Sequence, residues 1–589
     1  MESPSPFSHL FSLNWSPSEN DVLLIENLIS DSSKSLHRLN SEIAQLQTTL
    51  QKLEQQRDSV QDYVEAHKAL LLPARRLPPE IVARIFGHCL RTDCNPACSQ
   101  SEAPLLLGRV CKDWRELSLS TPCLWASIHI VIPMYASSQI LCPLIDARRT
   151  GIEAWLGRSG SLPLSVSLYL PSPSEDLPGR FHYPDSVVLR HLENLLDCVF
   201  QRSNRWHTMQ FRWNDMCLSL MGKLWPWGGN RDFPLLRCFK MNYGTEDRAD
   251  EIARFEGEWL SNAPDLQYLS LRHMDLGSFL EEPFSWPQLT HLEIQASMMS
   301  LSSAVQVLMQ CSNLHSLTMT PILDPRVTDD ELPDRIRVIT LPFLNSLRIG
   351  IALRLSDPGN PVDTGNIFCY LEAPTLRCLK LQIHHSRNVQ EPITCIPFIG
   401  LLNSNNQIEE LDIQVPHDCF HTMLVESLSL LPNLKTLYIR NYKFDDYILH
   451  LLTPSSATQV DDEDQLELLC PSLNQLYLLG YGINNDDQLL LNLAHSRYNA
   501  NPSAVSLATG SMSLRIVARL HTLHVLVNRY EQIADVQHQL QSLRDQGMDV
   551  IFAYWEEGKR GSSAGVEVEA IGPCIGYKEF RRKLESEEY

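Results

Sequence analysis

The feature that most constrains this chain is an eight-residue pattern, L-x-x-L-x-L opened by a proline or turn residue, that returns nine times. It reads PLLRCFKM at 234–241, PDLQYLSL at 264–271, PQLTHLEI at 287–294, SNLHSLTM at 312–319 and PFLNSLRI at 342–349. It continues as PTLRCLKL at 374–381, NQIEELDI at 406–413, PNLKTLYI at 432–439 and PSLNQLYL at 471–478. Weaker versions, LPLSVSLYL at 162–170, NRWHTMQF at 204–211 and ARLHTLHV at 518–525, bring the series to about twelve units. In extended backbone alternate side chains share a face, so the last two leucines of each copy point one way and the x between them the other. One copy cannot bury its own apolar face. Only a stack of copies can, and each leucine so buried should stabilise by roughly 1.5–3 kcal/mol.

Helical patterns fill the gaps: Ile252 to Trp259, Leu301 with Val305 and Leu308, Met423 to Leu431, Tyr447 to Leu452, Leu489 to Leu493, and Ile533 with Val536, Leu540 and Leu543. Strands alternating with helices predict an α/β solenoid over 133–554. Successive copies are spaced by 30, 23, 25, 30, 32, 32, 26 and 39 residues, so the stack should be irregular. Insertions at 171–186, 321–335, 354–366 and the acidic 455–465 should take up the excess, with a loosely attached tail over 555–589.

The pattern is similar to the leucine-rich repeat. That resemblance implies a horseshoe with a parallel sheet, whose x positions face the concave side and meet a target. These are Ser270, Glu293, Thr318, Arg348, Lys380, Asp412, Tyr438 and Tyr477. One departure is clear: three residues after the final leucine, where the family places Asn or Cys, stand Met274, Ser297, Ala352, His384 and Tyr442.

Upstream, 73–132 is a second organised stretch. Pro78, Pro79 and Glu80 suit the first turn of a helix, where a missing N–H costs nothing and a carboxylate meets the positive end of the dipole. Ile81, Val82, Ile85, Phe86 and Cys89 then recur at helical spacing. A second helix is expected to carry Leu107, Val110, Cys111, Trp114 and Leu117, ending before Thr121-Pro122, with a strand from Ser127 to Ile132. So small a unit can bury only part of this apolar surface alone. LPPE with I-x-x-x-I-F, then V-C-x-x-W-R, then S-T-P-x-L-W, resembles the F-box over residues 74–130. The resemblance implies a three-helix module that binds a Skp-type adaptor and, through it, a cullin. Its adaptor-facing residues would be Leu77, Pro78, Ile81, Ile85, Phe86, Val110, Cys111 and Trp114. The insertion RTDCNPACSQSE at 91–102 departs from the family and is expected to loop into solvent.

Before the F-box-like stretch, 1–20 reads as a disordered leader and 21–72 as one long amphipathic helix. Leu36, Leu39, Ile43, Leu46, Leu50, Leu53, Val60 and Val64 keep a heptad a/d register broken once by Arg57. Two outcomes fit that stripe: a coiled coil that makes a homodimer through 36–64, or a helix packed on its own domain.

A formal net charge of −21 argues against a general nucleic-acid or anionic-membrane binder. No apolar run approaches a membrane span, and the N-terminus lacks the basic and apolar regions of a signal peptide. A protein of the cytoplasm or nucleus is therefore expected. Cysteines inside apolar runs (Cys217, Cys238, Cys311, Cys378) suit free thiols. His88, Cys89, Cys94 and Cys98 lack the second pair that a structural zinc site needs, so neither metal nor cofactor is expected. The tryptophans Trp206, Trp213, Trp225 and Trp227 fit a core better than a ligand cage, although such clusters also build binding hot spots. No phosphate loop, nucleophile elbow or zinc-protease motif occurs, so no enzyme is expected. Together the features resemble a large fungal family of F-box proteins with degenerate repeats. That implies the substrate-recognition subunit of a Skp–cullin–F-box ubiquitin ligase. The alternative is a non-ligase interaction scaffold, dimerised by the N-terminal helix.

Overall fold

The computed structural model of the chain describes residues 5–71, 73–132, 138–169, 186–213, 232–243, 253–254, 257–276, 279, 284–299, 301–323, 338–353, 371–385, 401–402, 405, 407–414, 421–440, 446–454, 468–480, 487–499, 517–527 and 536–554. The expected insertions lie largely outside these residues, and the tail 555–589 wholly so. Two compact units divide the chain, Met1–Ile85 and Phe86–Tyr589.

In the first unit a single helix, α1 (Glu19–Leu70), runs for 52 residues, roughly 78 Å at 1.5 Å per residue. Its start is set by a capping box: Ser18 Oγ accepts from the Asp21 N–H at 3.4 Å, and Asp21 Oδ2 accepts from the Ser18 N–H at 3.2 Å. The heptad stripe from Leu36 to Val64 is 42–64% exposed at every apolar position. Helix α2 (Pro79–His88) begins with its proline and acidic residue in place and crosses into the second unit.

The second unit is built on one parallel sheet. Its principal strands are β1 (Ser127–Val131), β2 (Leu164–Tyr169), β3 (Trp206–Trp213), β4 (Cys238–Tyr243), β6 (Tyr268–Arg272), β8 (His291–Met299) and β9 (Ser316–Leu323). They continue with β11 (Ser346–Leu353), β13 (Cys378–His385), β14 (Glu410–Gln414), β15 (Thr436–Arg440), β16 (Gln475–Gly480), β17 (Thr522–Val527) and β18 (Asp549–Tyr554), each paired with the next in that order. Short pieces β5 (Ala253–Arg254) and β7 (Met274–Asp275) attach at the side, and β10 (Ile339–Thr340) pairs with β12 (Leu371–Glu372). All nine strong copies of the pattern, and the three weak ones, supply strands.

Register is what makes this a stack. One aligned row runs Ile128, Val166, Met209, Phe239, Leu269, Leu292, Leu317, Leu347, Leu379, Leu411, Leu437, Leu476, Leu523 and Val550. None of these is more than 2% exposed. The turns ahead of the strands are tied in the same way: the Gln267 N–H donates to Arg237 O, His291 to Gln267 O, His315 to Thr290 O, Asn345 to His315 O and Arg377 to Asn345 O. Turn backbone is thereby paired from one copy to the next. Helices α4 (Ser138–Arg158), α5 (Ser186–Phe200), α6 (Leu301–Gln310), α7 (His421–Ser429), α8 (Asp446–Leu452), α9 (Asp487–Tyr498) and α10 (Val536–Asp545) connect the strands.

Three local expectations change. Of the expected helix 252–259, the described residues form β5 at Ala253–Arg254 and open a 3₁₀ turn, Glu258–Asn262, with Gly257 ahead of it. The helix expected through Leu107 and Leu117 breaks into a 3₁₀ turn, Leu107–Arg109, and α3 (Lys112–Leu119). Between them Cys111 is extended and caps α3, its Sγ accepting from the Trp114 N–H at 3.4 Å. Lastly, the insertion 91–102 is anchored to the sheet. Ala97 bridges to His129 on β1, the His129 N–H donates to Pro96 O at 2.8 Å, and Asn95 bonds the Ser165 and Ser167 hydroxyls on β2. An edge strand exposes unpaired backbone groups, and the insertion pairs one of those of β1, the His129 N–H.

Candidate functional site

Two surfaces come from the residues singled out by sequence. In the first unit Leu77, Ile81 and Ile85 are about two-fifths exposed, and Pro78 is exposed as well. Helix α2 is two-sided: Ile81 and Ile85 fall one turn apart on an open stripe, while Val82 and Phe86, one residue further round, are buried. Phe86, expected to face an adaptor, is fully buried and meets Trp114 edge-on at 4.9 Å within the second unit. The aromatic of I-F is therefore a core residue, and Trp114, against its ring, is partly buried. Val110, at 59% exposed, and Cys111 do lie open. The fixed apolar contact of this stretch is Trp125, whose indole N–H donates to Ser118 O at 2.8 Å and whose ring meets Trp155 at 4.9 Å.

The second surface is the face of the sheet opposite the leucines. Cα register aligns the x positions in one row: His129, Ser167, Gln210, Lys240, Ser270, Glu293, Thr318, Arg348, Lys380, Asp412, Tyr438, Tyr477, His524 and Ile551. All eight residues expected to face a target are in this row, so the alternation places them on one face. Their accessibility differs. Glu293, Thr318, Arg348, Lys380 and Tyr438 are partly exposed, whereas Ser270, Asp412 and Tyr477 are buried and are not available for direct recognition. Two of them are shielded by neighbours: Asp412 Oδ1 accepts from Arg440 Nε at 2.9 Å, and Tyr477 stacks on Tyr438 at 4.2 Å with an 11° interplanar angle.

Charge on this face is mostly paired. Arg272 meets Glu293, which also accepts from the Tyr268 hydroxyl at 3.0 Å, and Lys380 meets Glu410 at 3.1 Å. Burial, and then the Glu293 carboxylate, push the Tyr268 phenol well above its ordinary range. Burial also pushes the Cys378 thiol, in the row beside it, up to about 11, so it is a neutral packing group.

Both ends of the row are occupied. At β1 and β2, Asn95 from the insertion reaches Ser165 and Ser167, and His129 Nδ1 lies 2.8 Å from Ser167 Oγ. Across β16 to β18 the face turns apolar, with Tyr477, Leu479, Ile551 and Ala553 in one buried cluster and Tyr438 and Leu526 against it. The polar, accessible middle runs from β8 to β15. Sequence reasoning missed this limit because the closure of each end depends on residues far from the repeats.

Other candidates separate. Among the described residues no group of three or more His, Cys, Asp and Glu side chains is placed to hold a metal ion. Trp206 is buried against Phe200 and Phe233, at 5.3 and 5.6 Å, while Trp225, Trp227 and the Trp213 side chain lie outside the described residues. Cys238, Cys311 and Cys378 are free thiols and Cys217 lies outside the described residues. No helix among the described residues is long and apolar enough to cross a membrane. In comparison with known proteins, the chain matches no family model and no curated protein.

Proposed function

We propose that this chain is the substrate-recognition subunit of a Skp–cullin–F-box ubiquitin ligase: an F-box over 74–130 binds the Skp-type adaptor, and a leucine-rich-repeat sheet holds the target. The observation that carries the reading is the two-sided helix α2. Ile81 and Ile85 stay exposed at the positions where the F-box resemblance expects adaptor contacts, on a helix whose other side is buried. Exposed apolar residues in a patterned stripe mark interaction surfaces. In this reading the protein makes and breaks no bonds itself. It tethers a target beside a separate enzyme, raising the local concentration for ubiquitin transfer.

Affinity capture tests it. The full chain should retain a Skp-type adaptor and its cullin, and Ile81→Asp with Val110→Asp should reduce capture at least tenfold, because a carboxylate in an apolar interface costs well over 1.4 kcal/mol. Both residues are open, so folding should be unchanged. Equal capture by wild type and variant would refute the assignment.

A second reading, a scaffold dimerised by α1, is favoured by the exposed heptad stripe. It predicts that the full chain sediments as a dimer at micromolar concentration and that Leu46→Glu with Leu50→Glu sediments as a monomer. A monomeric wild type at that concentration would remove the reading.

A further inference from the structure

Among the described residues six lysines and arginines stand on the sheet face opposite the leucines: Arg212, Lys240, Arg272, Arg348, Lys380 and Arg440. Arg272, Lys380 and Arg440 each meet a carboxylate. Arg212 and Lys240 lie over the rings of Tyr169 and Tyr268, at 5.2 and 4.7 Å. Among the described residues Arg348 has neither partner. Its Nη2 donates to Gln382 Oε1 at 3.2 Å, and its Nε is buried with no hydrogen-bond partner. A buried donor left unpaired costs about 1–3 kcal/mol, more for a charged group. In a chain of net charge −21, this is a cation that no acid among the described residues compensates.

The surroundings show what would satisfy it. In register, Arg348 stands between Thr318 on β9 and Lys380 on β13. Neighbouring strands are about 4.8 Å apart, so a ligand held by Arg348 lies within reach of both. Ser316 and Thr318 supply hydroxyl donors on the same face, and neither side chain is hydrogen-bonded among the described residues. A guanidinium edge offers parallel N–H groups that match two oxygens of one oxyanion.

We propose that Arg348, with Lys380 and the hydroxyls of Ser316 and Thr318, forms a subsite for an oxyanion, a phosphate monoester or a carboxylate, carried by an extended segment of the bound target protein. The inference rests on the reading of this face as the target-binding surface. It makes the middle of the sheet select targets by negative charge. A tetrahedral phosphate uses the whole donor set, since its oxygens accept from the guanidinium, the ammonium and a hydroxyl together. A carboxylate uses the guanidinium edge alone.

The test is a peptide array probed with the full-length protein, with three matched arms: randomised sequences centred on phosphothreonine, on aspartate and on threonine. The phosphothreonine arm should bind at least tenfold above the threonine arm, and Arg348→Gln should remove that gain. Arg348→Lys keeps the charge without the fork and should retain only part of it. Thr318→Glu should abolish the gain, because it sets a carboxylate on the adjoining strand, as Glu293 stands for Arg272. If the aspartate arm equals the phosphothreonine arm and both need Arg348, the subsite holds and its natural ligand is a carboxylate. If both charged arms bind no better than threonine, or if Arg348→Gln, Arg348→Lys and Thr318→Glu all bind as wild type, the proposal fails. Adaptor capture by the same variants should be unchanged. Loss of adaptor capture in wild type would refute the ligase reading and leave the array result standing by itself.

Discussion

Replacing Arg497 by methionine is expected to lower the unfolding free energy by about 3–5 kcal/mol, the order expected for leaving three buried carbonyls unpaired. Arg497 belongs to α9, and its guanidinium has no solvent exposure. It donates to three backbone carbonyls: Leu452 O at 2.6 Å from Nε, Leu469 O at 2.7 Å from Nη2 and Cys470 O at 3.0 Å from Nη1. Those carbonyls belong to the last residue of α8 and to the turn ahead of β16, so one side chain fastens two stretches 17 residues apart in the chain. Burial pushes its pKa down to about 10, which leaves it charged at neutral pH. Methionine has similar reach and no donor, and it would leave three acceptors unpaired. Lysine should recover only part of the loss, because a single ammonium cannot match the spread of a guanidinium. Urea denaturation of the two variants is the measurement. A loss below 1 kcal/mol for methionine would show that water replaces the clamp.

Leu379→Ala and Lys380→Ala, at adjacent positions of β13, should differ by several kcal/mol. Leu379 has no exposure and lies in register between Leu347 and Leu411, which have none either, so truncation opens a cavity costing about 2–5 kcal/mol. Lys380 is about one-third exposed and its partner is a half-open carboxylate, so its loss should change stability by about 1 kcal/mol or less. Equal effects would mean that the strand does not alternate. The same denaturation experiment reads both.

The repeats were legible because they carry their own explanation. A leucine every second residue in a strand, and a turn residue ahead of it, state the local structure and the need for neighbours at the same time. All twelve copies became strands for that reason. The last strand, β18, has no such pattern. Its run DVIFAY is apolar on both sides, since Val550 and Phe552 face the core while Ile551 and Ala553 join the buried cluster on the other face. Its signal lay in the preceding turn, where Gly547 takes a left-handed conformation and the Met548 N–H closes back on Leu543 O to end α10. Helix α4 was missed because Pro143 sits inside it.

The candidate site divides along the same line. Which residues share the x face followed from the alternation of side chains, a property of the backbone that needs no partner. Which of them a target can touch did not follow. Ser270, Asp412 and Tyr477 are closed off, Asp412 and Tyr477 by residues on neighbouring strands, and Phe86 by a tryptophan 28 positions along the chain. The insertion at 91–102 is the plainest case. As a sequence it is a polar interruption, and only the sheet gives it something to bind: the β1 edge for Ala97 and the β2 hydroxyls for Asn95. Sequence alone thus determined the alternating strands, the stack they require and the long N-terminal helix, because these depend on periodicity and local backbone propensity. Tertiary structure decided which polar groups are already paired and which, like Arg348, are left for something else, because burial and charge compensation depend on residues that meet only when the strands align.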